Sequence, residues 1–205
     1  EERIHRVGNV MIDSLYSNLE RSKNSKILET LGLKESYAIL TLHRPSNVDD
    51  RVNFSGIIDA LEKIGSEIQL VFPVHPRTEK MAKSFGLYEQ LSAIPNIVLT
   101  GPVGYLDFVA LMANSKMALT DSGGLQEETT ALGIPCITLR ENTERPITVL
   151  EGTNTIVGCD PDLILKAAFD VLEGNGKAGR IPDLWDGKTS SRIADVILQY
   201  IENGD

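Results

Sequence analysis

Short runs of consecutive apolar residues alternate along the chain with longer stretches in which apolar positions recur every three or four residues. Each short run predicts a β-strand. The six predicted strands span residues 37–42, 68–74, 97–100, 116–120, 135–139 and 154–158. Strands that are apolar at successive positions are typical of parallel sheets, in which both faces are covered by other elements.

The longer stretches predict helices that pack on the two faces of that sheet. The predicted helices span residues 10–23, 50–64, 78–91, 105–113, 127–132, 160–172 and 190–201. This alternation predicts an α/β fold with a doubly wound parallel sheet, in a single domain over residues 1–205. Ser46 and Asp49 resemble a capping box before the second helix. Trp185 is expected to anchor a Gly-rich surface loop at residues 174–188.

Composition and charge limit the partners that the chain can have. The formal net charge of −9 argues against nucleic acid, whose binders carry basic faces. Every apolar run falls short of the roughly 20 residues that span a bilayer, so no membrane partner is expected. The first residues resemble neither a signal nor a transit peptide. The chain also lacks an initiator Met, which suggests an excised part of something longer.

The two cysteines, Cys136 and Cys159, are isolated from each other and from any histidine at metal-ligand spacing. This spacing predicts neither a metal site nor a disulfide framework, and it favours a reducing cytoplasm. Cys136 lies in an apolar run and is expected to be a small core residue.

Residues 121–128 (DSGGLQEE) follow a predicted strand and lead into a predicted helix. Free N–H groups and the positive end of a helix dipole meet at such a turn, which suits a phosphate. Gly123 and Gly124 lack a Cβ, so an anion can approach the backbone closely. Glu128, about one helical turn further on, is placed to accept hydrogen bonds from ribose hydroxyls. The octapeptide therefore predicts a nucleoside diphosphate site, and an ordinary βα turn is the alternative that it leaves open.

Polar residues at the other strand ends are also candidates, because ligands of doubly wound sheets bind outside the carboxyl ends of the strands. His43 and His75 each follow a predicted strand directly. An imidazole there can donate to a phosphate or act as an acid or base, or it can simply satisfy loop carbonyls. Zinc is less well supported, because no third ligand stands at metal spacing.

Two further candidates keep a structural alternative. Arg140 and Arg145 lie in one loop and suit bidentate capture of a diphosphate, although a solvated loop with internal ion pairs is the other interpretation. Glu144 pairs with Arg145 or serves a sugar hydroxyl, and the sequence does not separate these roles. Phe108 is a candidate contact for a base, but its apolar neighbours favour a core position.

Four motifs in order resemble the non-hydrolysing UDP-N-acetylglucosamine 2-epimerases. They are residues 41–47 (TLHRPSN), 73–76 (PVHP), 119–128 (LTDSGGLQEE) and 139–146 (LRENTERP). The resemblance covers essentially the whole chain, but only the carboxyl-terminal half of that family. It implies a Rossmann-like domain from a glycosyltransferase-B type two-domain arrangement, with the active site in the cleft between the domains.

The resemblance also implies roles for individual residues. Ser122, Gly123 and Gly124 match the turn that holds the diphosphate of UDP, and Glu128 matches the ribose-binding acid. The uracil neighbour of the family corresponds to Phe108.

Four more positions match the family. Arg145 matches an arginine near the nucleotide, and His43 matches a catalytic-cleft histidine. In bacterial members, positions equivalent to His43, Arg44 and His75 help hold a second, activating UDP-N-acetylglucosamine. Pro45 and Ser46 depart from the charged residue and Glu that many members carry, which puts that activation in doubt.

The reaction implied is inversion at C2 of UDP-N-acetylglucosamine to give the manno isomer, through loss and re-addition of UDP, with no cofactor and no metal. The proton-transfer carboxylates belong to the amino-terminal domain, which is absent from this chain and would act in cis. A homodimer is implied for the full-length protein. Two alternatives remain: half of a glycosyltransferase that uses a UDP-sugar donor, and a non-catalytic nucleotide-sugar sensing module.

Overall fold

The computed structural model describes residues 4–33 and 36–203, and its centre is one sheet of six parallel strands. The strands are β1 (Tyr37–Thr41), β2 (Gln69–Pro73), β3 (Ile97–Thr100), β4 (Met117–Thr120), β5 (Cys136–Thr138) and β6 (Asn154–Ile156). Their order across the sheet is β3-β2-β1-β4-β5-β6, and every neighbouring pair is parallel. The predicted doubly wound parallel sheet is therefore confirmed.

Helices cover both faces of the sheet. They are α1 (Val10–Ser22), α2 (Ile27–Thr30), α3 (Pro45–Val48), α4 (Arg51–Glu67), α5 (Pro76–Ser84), α6 (Tyr88–Ser92), α7 (Tyr105–Ala113), α8 (Gly123–Leu132), α9 (Pro146–Leu150), α10 (Pro161–Leu172) and α11 (Thr189–Asn203). Helices α4 and α10 pack together on one face, and α1 packs with α7 and α8 on the other.

The central strands contribute to two separate cores, because successive side chains of a strand point to opposite faces. In β1, Ala38 and Leu40 belong to the core beneath α4 and α10, whereas Tyr37 and Ile39 belong to the core beneath α1 and α7. All four are fully or almost fully buried. This two-sided burial explains why the strands appear in the sequence as unbroken apolar runs.

Two predicted helices differ from the structure. The helix predicted at residues 78–91 is two helices, α5 and α6, and Gly86 lies between them with a φ of +70°. The helix predicted at 127–132 begins earlier, at Gly123, so the glycines form its first turn instead of a turn before it.

The predicted capping box is also wrong. Ser46 lies inside α3, and Asp50 caps α4 by accepting hydrogen bonds from the N–H groups of Val52 and Asn53 at 2.8 and 2.9 Å. Helices α2, α3 and α9 are short and were not predicted.

Residues 174–188 contain neither helix nor strand, and Trp185 is buried in the core on the α1 side. Its position agrees with the anchoring role predicted for it. Both cysteines are free, and Cys136 is buried as expected, which raises the pKa of its thiol to about 11. Among the described residues, no helix has the length and apolar character needed to cross a bilayer.

The strand order reverses between β1 and β4, because the chain moves outward in one direction through β2 and β3 and then returns to continue through β5 and β6. Loops that leave the carboxyl ends of β1 and β4 consequently diverge to opposite sides. A crevice opens between them, and this is the position where ligands bind in doubly wound sheets.

Candidate functional site

Asp121, the first residue after β4, connects the loops at this crevice. It is fully buried. Its Oδ2 accepts hydrogen bonds from the backbone N–H groups of His43 and Arg44 at 2.9 and 2.8 Å, and from the side-chain amide of Asn47 at 3.2 Å. Asn47 also donates to the carbonyl of Leu139, the residue after β5, across 2.8 Å. One carboxylate therefore fixes the chain after β1 relative to β4 and β5.

Helix α8 begins at the same edge of the sheet. Ser122 is its N-cap residue and Gly123 its first residue. The N–H of Ser122 donates to the hydroxyl of Thr120 at 2.9 Å, which holds the turn. A Cβ added to Gly124 would meet no described atom within 4 Å, so the space above this backbone is open. The first N–H groups of α8 are thus accessible to an anion.

A cleft of about 290 Å³ lies beside this helix end. It brings together five of the predicted site residues: His43, Phe108, Ser122, Gly124 and Glu128. Thr41, Leu125, Met11 and Tyr105 complete its lining. Residues from β1, α1, α7 and α8 therefore converge on one cavity, with an aromatic ring on one wall and a carboxylate on another.

The carboxylate of Glu128 is buried and oriented by one partner. The hydroxyl of Tyr105 donates to its Oε1 at 2.8 Å. Burial raises the pKa of Glu128, the hydrogen bond from Tyr105 lowers it, and the neighbouring charge of Glu127 raises it. Burial and the same carboxylate also raise the pKa of Tyr105. Glu128 is the acceptor in this contact, and it can accept further hydrogen bonds from a ligand that enters the cleft.

A second cleft of about 200 Å³ adjoins the first and shares Thr41, His43 and Phe108 with it. His75 lines its far side, and the ring centroids of His43 and His75 are 5.7 Å apart. His75 is also the N-cap residue of α5, since its Nδ1 accepts the N–H of Arg77 at 3.1 Å. Both histidines predicted from the strand ends therefore line the second cleft, and His43 also lines the first.

Residues 140–145, the arginine loop, form one ion pair within the loop and one with α8, and these residues lie outside the linings of both clefts. Arg140 holds Glu144 with two hydrogen bonds of 2.7 and 2.8 Å, and this lowers the pKa of Glu144 to about 2. Nε of Arg145 lies 3.1 Å from Oε2 of Glu127. The carboxylate of Glu144 thus pairs with Arg140, and the predicted pairing of Glu144 with Arg145 is wrong.

Three predicted residues, Gly123, Arg44 and Arg145, lie at the margin of the site. Oε2 of Glu144 would be 3.7 Å from a Cβ at Gly123, so this carboxylate stands next to the start of α8. The positive charge of Arg44 contributes to lowering the pKa of Glu144, and the Nε of Arg44 is buried with no hydrogen-bond partner among the described residues. Gly123, Arg44 and Arg145 therefore surround the helix terminus but do not line the clefts.

Sequence reasoning missed three residues of the site. Tyr105 opens the helix after the third strand, and this polar position near a strand end was a usable signal. Asp121 was noted at a strand end but was given no role. Met11 has no such signal, because only the packing of α1 against α8 brings it to the cleft. Within residues 4–33 and 36–203, no group of three or more His, Cys, Asp or Glu side chains could hold a metal ion.

Comparison with known proteins identifies one family. The family model described as UDP-N-acetylglucosamine 2-epimerase matches residues 1–198. A UDP-N-acetylglucosamine 2-epimerase of Methanococcus maripaludis is 40% identical over 204 residues, which cover 97% of this chain and 55% of the relative. A UDP-2,3-diacetamido-2,3-dideoxy-D-glucuronate 2-epimerase of Pseudomonas aeruginosa is 35% identical over 202 residues, covering 96% and 53%.

Solved structures agree with this result. The crystal structure of Methanocaldococcus jannaschii UDP-GlcNAc 2-epimerase in complex with UDP-GlcNAc and UDP superposes with a TM-score of 0.85 at 35% identity. The match covers 97% of this chain and 56% of that structure. The chain therefore spans about half the length of the relatives that it matches.

Proposed function

Because the chain belongs to the UDP-N-acetylglucosamine 2-epimerase family, we propose that it is the UDP-binding half of an enzyme that interconverts UDP-N-acetylglucosamine and UDP-N-acetylmannosamine. The observation that carries the proposal is the cleft beside the start of α8, where open backbone N–H groups, a buried carboxylate and an aromatic ring share one cavity. The other half of the active site would come from an amino-terminal domain in the same protein.

Each part of UDP has a matching group in this arrangement. The diphosphate would accept hydrogen bonds from the backbone of residues 122–124, where the helix dipole also favours negative charge. Glu128 would accept the ribose hydroxyls, and the uracil would lie near Phe108. Arg145 would exchange its partly exposed contact with Glu127 for the phosphates, a contact that suits a guanidinium.

In the proposed reaction the proton at C2 is removed and the bond from C1 to the UDP oxygen breaks, which gives 2-acetamidoglucal and UDP. UDP then adds back while a proton is delivered to C2 on the opposite face. His43 would act in the cleft as an acid or base, and carboxylates of the amino-terminal domain would move the C2 proton. No step of this scheme calls for a metal or a redox cofactor.

The remaining assignments belong to the same proposal. Arg44 and His75 would help hold a second, activating molecule of UDP-N-acetylglucosamine, next to His43. The full-length protein would be a cytoplasmic homodimer. The substituents at C3 and C6 of the sugar stay open, since the Pseudomonas aeruginosa relative is named for a different sugar.

Titration calorimetry of this chain with UDP and with uridine tests the nucleotide site. We expect weak binding of UDP and much weaker binding of uridine, because the diphosphate supplies the contacts at α8. We also expect that the chain alone gives no UDP-N-acetylmannosamine from UDP-N-acetylglucosamine in an NMR assay. Turnover by the chain alone, or equal affinity for uridine and UDP, would contradict the proposal.

The full-length protein separates the remaining functions. An epimerase forms the manno isomer without an acceptor, whereas a glycosyltransferase needs an acceptor. A sensing module would bind the nucleotide sugar without turnover even with both domains present.

A further inference from the structure

His43 and His75 both line the second cleft, with ring centroids 5.7 Å apart, and one nitrogen of each ring is in contact with the protein. In both rings the engaged nitrogen is Nδ1, but its partners are of opposite kind. His43 Nδ1 lies 2.9 Å from an oxygen of Asp121, and His75 Nδ1 receives the N–H of Arg77 at 3.1 Å. In a neutral imidazole one nitrogen carries the proton and the other is an acceptor, so such partners decide the tautomer.

Asp121 requires a proton on Nδ1 of His43. Its Oδ2 already accepts three N–H groups, from His43, Arg44 and Asn47. Its Oδ1 is buried and accepts no hydrogen bond from the described residues, although Nδ1 of His43 lies only 2.9 Å away. A lone pair on Nδ1 would repel a carboxylate oxygen at 2.9 Å, whereas an N–H at Nδ1 offsets the cost of leaving that oxygen buried and unpaired.

Arg77 imposes the opposite state on His75. Because its backbone N–H points at Nδ1, that nitrogen must present a lone pair, and the proton of the neutral ring is on Nε2. The contact is part of the N-cap of α5 and is therefore maintained by the helix itself.

We infer that Asp121 is a positioning residue that holds neutral His43 as its Nδ1–H tautomer, while the first turn of α5 holds His75 as the Nε2–H tautomer. The second cleft then has one proton acceptor, Nε2 of His43, and one hydrogen-bond donor, Nε2–H of His75. The catalytic meaning of this pair rests on the proposed function, but the tautomers themselves do not.

The chemistry follows from the two fixed tautomers. Neutral His43 can take a proton only at Nε2. The imidazolium formed is stabilised by the charge of Asp121 and can return the same proton to an oxygen of the substrate or of UDP. Neutral His75 can only donate at Nε2 and is suited to hold a phosphate or hydroxyl oxygen. One histidine acts as the base and the other as a fixed donor.

Long-range ¹H–¹⁵N correlation NMR on the labelled chain, at a pH well above the usual histidine pKa, reads the tautomers directly. His43→Gln and His75→Gln each remove one set of signals and so assign the spectrum. We expect a proton-bearing Nδ1 in His43 and a proton-bearing Nε2 in His75. An Nε2–H tautomer in His43, or the same tautomer in both rings, would overturn the inference.

Asp121→Asn tests the cause. The amide oxygen can keep the three N–H donors, which turns the amide NH₂ toward Nδ1 of His43, so His43 should switch to the Nε2–H tautomer. Asn47→Ala is the matched control, because it removes a donor from the other oxygen of Asp121 and should leave the tautomer of His43 unchanged. An unchanged His43 tautomer in Asp121→Asn sinks the positioning role. If that variant fails to fold, the wild-type spectrum still decides.

Activity gives a second readout in the full-length protein. There Asp121→Asn should lower kcat by roughly 10²–10⁴-fold with little change in KM, because the proton acceptor is lost while the binding groups remain. A large rise in KM with unchanged kcat would contradict this. The NMR result does not depend on UDP, so a chain with the expected tautomers that fails to bind UDP would sink only the proposed function.

Discussion

Tyr105, at the start of α7, donates its hydroxyl hydrogen to Oε1 of Glu128, in the second turn of α8, across 2.8 Å. This contact joins two helices on one face of the sheet and fixes the carboxylate against the wall of the cleft. The other oxygen of Glu128 is left for a ligand. Burial nevertheless raises the pKa of this acid, so the charged form is kept at a cost to the folded state.

The first prediction concerns the role of that carboxylate. Glu128→Gln should weaken binding of UDP by about tenfold or more, because a hydrogen bond to a charged acceptor contributes about 1.5–3 kcal/mol. Binding of 2′,3′-dideoxyuridine diphosphate should be unaffected by the substitution, since this ligand lacks the hydroxyls. Calorimetry with both ligands measures the difference, and an equal loss for both would exclude ribose recognition by Glu128.

The same substitution should not lower the free energy of unfolding at neutral pH. An acid whose pKa is higher in the folded state than in the unfolded state stabilises the folded state at pH values below its unfolded pKa of 4.5. It loses that contribution as the pH rises through its pKa in the folded state. Glutamine is uncharged, so the substitution removes the cost of burying a charged carboxylate at neutral pH. Thermal unfolding of both proteins between pH 4 and 7 should show a weaker pH dependence for the variant, and Tyr105→Phe serves as the control that keeps the carboxylate.

The contact between Tyr105 and Glu128 also shows which features can be predicted from sequence. The strands were predictable because side chains on both faces of a strand are buried, as Ile39 and Leu40 are on opposite faces of β1. Burial on both faces requires an unbroken run of apolar residues. The edge of the sheet that carries the site followed from strand direction alone, and it placed His43, His75 and Asp121 together. The position of Tyr105 near a strand end was visible in the sequence, but its contact with Glu128 depends on how α7 packs beside α8, and no local pattern encodes that distance.

The ion pair in the arginine loop also depends on tertiary folding and could not be predicted from a local pattern. Arg140 and Glu144 are four residues apart in a segment that is not helical, so the helical rule for such pairs did not apply. Their pairing depends on how the loop folds after β5. The helix boundary at Gly123 was missed for a different reason. Glycine has a low helix propensity, so the two glycines were assigned to a turn, although glycine in a first helical turn leaves the backbone N–H groups free of a covering side chain.

A second prediction concerns the charge of Glu144. Two hydrogen bonds from Arg140 keep its pKa at about 2, well below the ordinary value of 4.5. Because the pKa of Glu144 is lower in the folded state, the pair contributes its full stabilisation at pH values above the pKa of the unfolded state. This contribution is lost as the pH falls toward 2. Carboxyl ¹³C shifts should therefore show Glu144 still ionised at about pH 3. In Arg140→Ala the titration should move back toward the ordinary value, and a wild-type midpoint near 4.5 would show that the pair does not form in solution.

A third prediction tests whether Arg145 reaches the nucleotide. Its contact with Glu127 is partly exposed and worth about 0–1 kcal/mol, so Arg145→Ala should hardly change the unfolding midpoint. It should weaken UDP binding by about tenfold or more while leaving uridine binding unchanged, because a charged contact to phosphate is lost. Arg180→Ala is the matched control, since Arg180 forms ion pairs with Glu151 and Asp183 away from the cleft. Equal UDP affinities for the two variants would remove Arg145 from the site.

The last prediction compares the same substitution, Gly to Ala, at the two ends of α8. The comparison distinguishes an effect on stability from an effect on phosphate binding. Gly124 is in the first turn, and a Cβ there would meet no described atom within 4 Å. Gly124→Ala should therefore fold normally and be as stable as wild type or up to about 1 kcal/mol more stable, because Ala is the better helix former. The added methyl group would nevertheless occupy the open space through which, in the proposed site, a phosphate would reach the backbone N–H groups.

Gly133 ends the same helix with a φ of +69°, and a Cβ there would also meet nothing described within 4 Å. Gly133→Ala should lower the free energy of unfolding by about 1–2 kcal/mol from backbone strain alone and leave UDP affinity unchanged. Gly124→Ala should show the reverse, a UDP affinity reduced by about tenfold or more with stability retained. Because both variants add one methyl group to the same helix, thermal unfolding and UDP titration of the pair distinguish a phosphate site at the amino end of α8 from a general sensitivity of the helix. Undiminished UDP binding by Gly124→Ala would place the diphosphate elsewhere.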